Sequence, residues 1–139
     1  MDEPFEPLDA FRALYGAAED SQGIRRQILR ESIRVAEAAE LTGRSRQALE
    51  RQRRQGRLLA LRRSNQWLYP RWQFDADAPG GVVSGLAEVL PLLGLSPTGA
   101  AFWLSQPRPE LDGRAPVELL HQRRTDPVLA LAKEQGLMI

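Results

Sequence analysis

The spacing of Ala39, Gly43 and Leu49 within "RVAEAAELTGRSRQALERQRRQG" constrains this chain more than any other feature. A small residue lets two helices cross closely. A glycine four positions on permits a tight turn, and an apolar residue six further on locks the second helix against the first. The pattern predicts a helix over about 35–41 with Val35, Ala38 and Ala39 inward, then a turn at Gly43. A second helix comes next, capped by Ser45, running to about Gln55 and closed by Gly56. Ala48 and Leu49 point inward, while Gln52 stands one turn on, where a further apolar anchor is usual. Arg46, Gln47, Glu50, Arg51, Arg53 and Arg54 are left on the outer face.

Charge gathers on the same segment. Of 19 basic residues 18 are arginine, and the net charge of the 139-residue chain is only +1. Residues 1–20 carry −5, residues 21–73 carry +9 and residues 74–139 carry −3. A basic block centred on a helix-turn-helix pattern points to nucleic acid, with arginine suited to bidentate contact with phosphates and guanine edges. The plain alternative is a solvated arginine face with no ligand.

The segment then runs into "GRLLALRRSNQWLYPRWQF", which holds four of the nine aromatic residues. It predicts two short strands, Leu58–Leu61 and about Gln66–Tyr69, joined by a turn at Arg63-Ser64-Asn65 that carries Arg62 and Arg63. Such a pair is a wing, whose arginines could reach the phosphate backbone or the minor groove. Trp67 and Tyr69 fall on one strand face with Leu68 on the other, and Pro70 ends the strand. Trp72 and Phe74 read as an apolar hinge joining the wing to the next unit; the competing reading makes Trp67 or Trp72 a stacking platform for single strands.

On either side lie helices. Leu8, Phe11, Tyr15 and Ala18 recur at helical spacing after Pro7, and Ile24, Ile28 and Leu29 suggest another short helix, together serving packing or dimerisation over residues 1–32. The winged unit is assigned to residues 33–74 and a polar, flexible connector, "DADAPGG" and its flank, to residues 75–83. Residues 84–139 form a small module of four short helices. They open at Ser84, at Ser96-Pro97, near Pro116 and at Thr125-Asp126-Pro127, and Gly136 ends the last. Pro91 should kink or shorten the first of these. The expected fold is therefore mainly α: a winged helix-turn-helix with a short two-stranded β wing plus a small C-terminal helical module.

Within this module "GLAEVLPLLGLSPTGAAFWLSQPRPELDGRAPVELLHQRRTDPVLALAKEQG", residues 85–136, resembles the toxin-binding domain of Xre/MbcA/ParS-type antitoxins. Trp103-Leu104, Pro107 and above all "LDGRAPVELL" at Leu111–Leu120 carry the likeness. The front half resembles the excisionase/MerR winged type instead. The antitoxin resemblance implies a module that binds a partner, a RES-type toxin or another protein, and a complex that represses its own promoter. Trp103 and Arg114, with the apolar tail Leu137, Met138 and Ile139, are the implied partner contacts.

Other functions find little support. His121 is the one histidine, there is no cysteine, and no glycine-rich phosphate loop is present, so an enzyme is not expected. Asp75 and Asp77 could suggest a metal, but two carboxylates in a Pro/Gly-rich connector are more simply solubilising, and no cofactor is expected. No apolar run reaches the ~18 residues that suggest a membrane span, and the acidic N-terminus does not read as a secretory signal, so a cytoplasmic protein is expected. The expected function is a sequence-specific regulator of double-stranded DNA, homodimeric and antitoxin-like. Arg44, Ser45, Arg46, Gln47, Glu50, Arg51 and Arg54 would contact DNA from the second helix, and Arg62, Arg63 and Asn65 from the wing. The alternatives are a stand-alone interaction module and an architectural, excisionase-like DNA binder.

Overall fold

The computed structural model describes residues 18–138. The expected helix through Leu8, Phe11 and Tyr15 lies outside them, as does Ile139. Helix α1 (Ala18–Arg30) turns Ile28 and Leu29 into the core, and Ser32 donates its hydroxyl to the Ile28 carbonyl as the chain leaves the helix. Strand β1 (Ser32–Arg34) leads directly into α2 (Val35–Thr42), which ends on Gly43 at φ 73, its N–H donating to the Ala39 carbonyl. Helix α3 (Arg46–Arg54) starts at Ser45, whose hydroxyl accepts the Ala48 N–H at 3.0 Å. The two helices pack together with Ala38 and Leu49 at 0% exposure, while Ala39, the small residue of the spacing read from the sequence, is half-buried.

Strands β2 (Leu61–Arg63) and β3 (Gln66–Pro70) complete a three-stranded antiparallel sheet of order β1-β3-β2. Ile33 pairs with Tyr69 on one side of β3, and Arg62 pairs with Trp67 on the other. The wing therefore differs from its expected form in three ways. It has a third strand, β1, too short to show a period and paired with a segment far along the chain. Its first hairpin strand begins at Leu61, not Leu58. Its turn is shortened to Ser64-Asn65, with Ser64 at φ 55, and Arg62 and Arg63 are strand residues. Leu58, Leu59 and Ala60 are buried without joining the sheet, because the Gln73 amide satisfies Leu59 on both sides. It accepts the Leu59 N–H and donates to the Leu59 carbonyl, each at 2.8 Å, and also donates to the Pro70 carbonyl at 3.1 Å. Pro70, the last residue of β3, sits opposite Ser32.

A 3-10 turn (Arg71–Gln73) carries the chain to residues 75–81, which are folded on themselves rather than extended. The Asp75 N–H donates to the Gly81 carbonyl, Phe74 bridges to Val82, and Ala78 is buried. Gly81, at φ +78, lies so close to α2 that a Cβ there would stand 2.5 Å from the Thr42 Cβ.

The remaining helices are α4 (Leu86–Leu93), α5 (Pro97–Ser105), α6 (Pro116–His121) and α7 (Thr125–Leu137). Ser96 caps α5 by accepting the Gly99 N–H, as its sequence suggests. Two expectations are corrected. Gly85, at φ 84, precedes α4 where Ser84 was expected to cap it. Gly136 does not end α7 but lies inside it, where a Cβ would meet the Leu92 carbonyl oxygen at 2.3 Å. That glycine lets α7 pack against α4. One apolar cluster runs from Ile28 through Leu49, Tyr69 and Phe74 to Trp103, Leu120 and Val128, so the winged part and the helical module share a core. The protein is thus mainly helical, with a small antiparallel sheet forming the wing.

Candidate nucleic-acid interface

Helix α3 is held from behind by Leu49 and from its start by Ser45, which fixes what its outer face presents. Arg44, Ser45, Arg46, Gln47, Arg51 and Arg54 are exposed, and Glu50 is half-buried. Arg62, Arg63 and Asn65 are exposed on the wing. A cleft of ≈ 340 Å³ between these elements is lined by Arg34, Arg46, Glu50, Asn65, Gln66 and Trp67, among others. The structure therefore brings Arg46 and Glu50 of α3 and Asn65 of the wing to one concave place.

Two arginines lie near the Trp67 ring. Arg53 is half-buried, with its guanidinium 4.2 Å from the centroid of the Trp67 ring. Arg62 approaches the same ring at 5.5 Å. Trp67 thus has both a helix arginine and a wing arginine near its ring, which favours its packing role over a free stacking platform. Desolvation raises the Tyr69 hydroxyl above its ordinary 10.0, with the neighbouring Arg53 working in the opposite direction. Gln52, at the position without an apolar anchor, is half-buried, and its Oε1 has no hydrogen-bond partner among the described residues.

Arg25 was not picked out from the sequence. It donates from α1 to the carbonyl of Arg62, fixing the backbone of the wing arginine from behind. Arg34 and Gln66, which line the cleft, were missed too. Their signal is positional, since β1 places Arg34 beside β3, and no local motif marks it.

The implied partner contacts separate. Trp103 is 1% exposed, with the Arg108 guanidinium 4.8 Å from its ring centroid, so it is a core residue and not a docking surface. Burial draws Arg108 below its ordinary pKa, Glu110 opposing. Arg114 is exposed and donates to Gln122 at 3.2 Å. Leu137 and Met138 are exposed at 86% and 71%. His121 is tied to the winged part: its Nε2 lies 2.7 Å from the Trp72 carbonyl oxygen and its Nδ1 4.0 Å from an Asp75 carboxylate oxygen. Phe74 is buried against Tyr69, ring centroids 6.4 Å apart, and the Trp72 indole donates to Glu31 at 3.2 Å. No helix among the described residues is long and apolar enough to cross a membrane.

Residues 23–76 match the family of helix-turn-helix domains. The NMR structure of Rv2175c is similar over 76% of this chain and 80% of that one, with 28% sequence identity and a TM-score of 0.64. That share exceeds the 54 residues of the domain match, so the likeness extends beyond the helix-turn-helix. A comparison with curated proteins gives no match.

Proposed function

We propose that this protein is a sequence-specific, double-stranded DNA-binding regulator in which α3 enters the major groove and the wing grips the backbone. The observation that carries the reading is the joint exposure of Arg46, Gln47 and Arg51 on α3 with Arg62, Arg63 and Asn65 on the adjacent hairpin. Arginine and glutamine can pair with guanine and adenine edges, and the wing arginines can neutralise phosphates. The free N–H groups at the start of α3 favour a phosphate at that end. In the finer proposal the chain acts without catalysis in the cytoplasm, as a homodimer on two-fold half-sites about one helical turn apart. It represses its own promoter and binds a protein through residues 84–139. The antitoxin-like sequence at residues 85–136 supports that partner, and exposed Arg114, Leu137 and Met138 are its candidate contacts.

The test is binding to the protein's own promoter and to scrambled DNA at two salt concentrations. Specific recognition is expected as a preference on the order of a thousandfold or more. Arg51→Ala should remove roughly 1–3 kcal/mol of that preference. Arg62→Ala should weaken both DNAs alike and lower the salt slope by about one. Equal, salt-sensitive binding to both sequences would replace this reading with an architectural one.

A further inference from the structure

An open cleft of ≈ 380 Å³ lies between the loop leaving α3 and the facing sides of α4 and α5. Its walls are largely apolar, including Leu58, Trp67, Leu90, Leu95 and Pro97. Among the described residues, the charged ones lining it are Arg53 and Arg57, and no acid does so. The Arg53 guanidinium lies over Trp67, with its Nε shielded from solvent beside the Tyr69 hydroxyl. Two lining guanidinium groups without a lining carboxylate favour an anion. Arg57 is exposed beside it.

We infer that this cleft binds a small amphipathic carboxylate, with its apolar body against Leu58, Leu90 and Leu95 and its carboxylate at Arg53 and Arg57. The volume falls within the range of small-molecule sites, which combine apolar walls with a few placed polar groups. Two guanidinium groups without a lining acid exclude a cation. A neutral apolar molecule would fill the walls and leave both guanidinium groups without a counter-charge. A bare phosphate would satisfy the arginines and gain nothing from the leucines. Recognition of the carboxylate is charge-assisted, and Trp67 reports on occupancy because it lines the cleft. The site does not depend on the DNA reading, since it is defined on the free protein.

The test titrates naphthoate, and naphthylmethanol as its neutral counterpart, into the full chain labelled for proton–nitrogen correlation NMR. Naphthoate should saturate with a Kd on the order of 0.1 mM, shifting the amides of Leu58, Leu59, Ala60 and Leu95 and the Trp67 indole N–H. The alcohol should bind at least about tenfold more weakly, as expected for loss of a charged acceptor. Arg57→Gln, a change at an exposed side chain, should weaken naphthoate about tenfold and leave the alcohol unaffected. Arg53→Gln should do the same, its amide spectrum showing whether the fold is retained. Equal binding of the two probes would overturn the inference, as would shifts confined to the outer face of α3. So would naphthoate binding indifferent to Arg57→Gln, or no saturation into the millimolar range.

Discussion

Gln73 shows how a single buried side chain can decide where a strand begins. Its amide is fully buried and serves both backbone groups of Leu59, taking the place of a strand neighbour. Gln73→Leu should therefore cost about 2–4 kcal/mol, because two buried backbone groups lose their partners, and urea denaturation reads that loss. The sequence "LLAL" announces a buried segment, and burial at Leu58–Leu61 was legible from it. That Gln73 would occupy the backbone hydrogen bonds of Leu59 was not, because a polar residue in an aromatic run carries no sign of inward orientation. Gly136 is similar: a glycine near a helix end looks like a stop, and only the packed neighbour Leu92 identifies it as a close approach. Tyr69 adds a pH dependence. Its hydroxyl pKa is raised in the folded protein, so the unfolded chain releases its proton first as pH rises. The stability associated with the neutral phenol is complete below the unfolded value near 10 and is lost as pH climbs through the folded value. Thermal melts should show a decline above about pH 10 that Tyr69→Phe lessens.

The helix-turn-helix was the most legible element, since its determinants are local. Ala39, Gly43, Ser45 and Leu49 each act within a turn or two of their own position; the structure places Gly43, Ser45 and Leu49 as their chemistry requires, while Ala38 and not Ala39 is the fully buried small residue. Ser45 was also assigned to DNA. In the free protein its hydroxyl already accepts the Ala48 N–H, so its first role is to hold the start of α3. Ser45→Ala should lower stability by about 1 kcal/mol, the usual cost of losing such a cap, as measured by chemical denaturation. The sheet was less legible because its pairing is not local. Strand β1 has three residues, and its partner β3 is met only after the whole helix pair has been traversed. The same distance hid Arg25 and Arg34, whose relation to the wing exists only once the sheet has formed.

At the scale of the molecule, the core ignores the boundary suggested by composition. Polar "DADAPGG" looked like a connector, yet Ala78 and Gly81 are buried and His121 reaches back to Trp72. Helix α1 packs against α5, joining the start of the winged part to the helical module. Residues 18–138 should accordingly unfold in one transition, with tryptophan fluorescence and far-ultraviolet circular dichroism giving coincident urea curves. Separate midpoints would show that the two parts melt independently. The strand order carries a mechanical consequence. Ser32 enters and Pro70 leaves at the same end of the β1–β3 pair, with Arg71 donating to Glu31 just beyond it. Tension applied across these two points loads the rungs one after another instead of all at once, because hydrogen bonds between antiparallel strands lie perpendicular to their length. Force across that end would therefore part β1 from β3 rung by rung, starting beside Glu31 and Arg71.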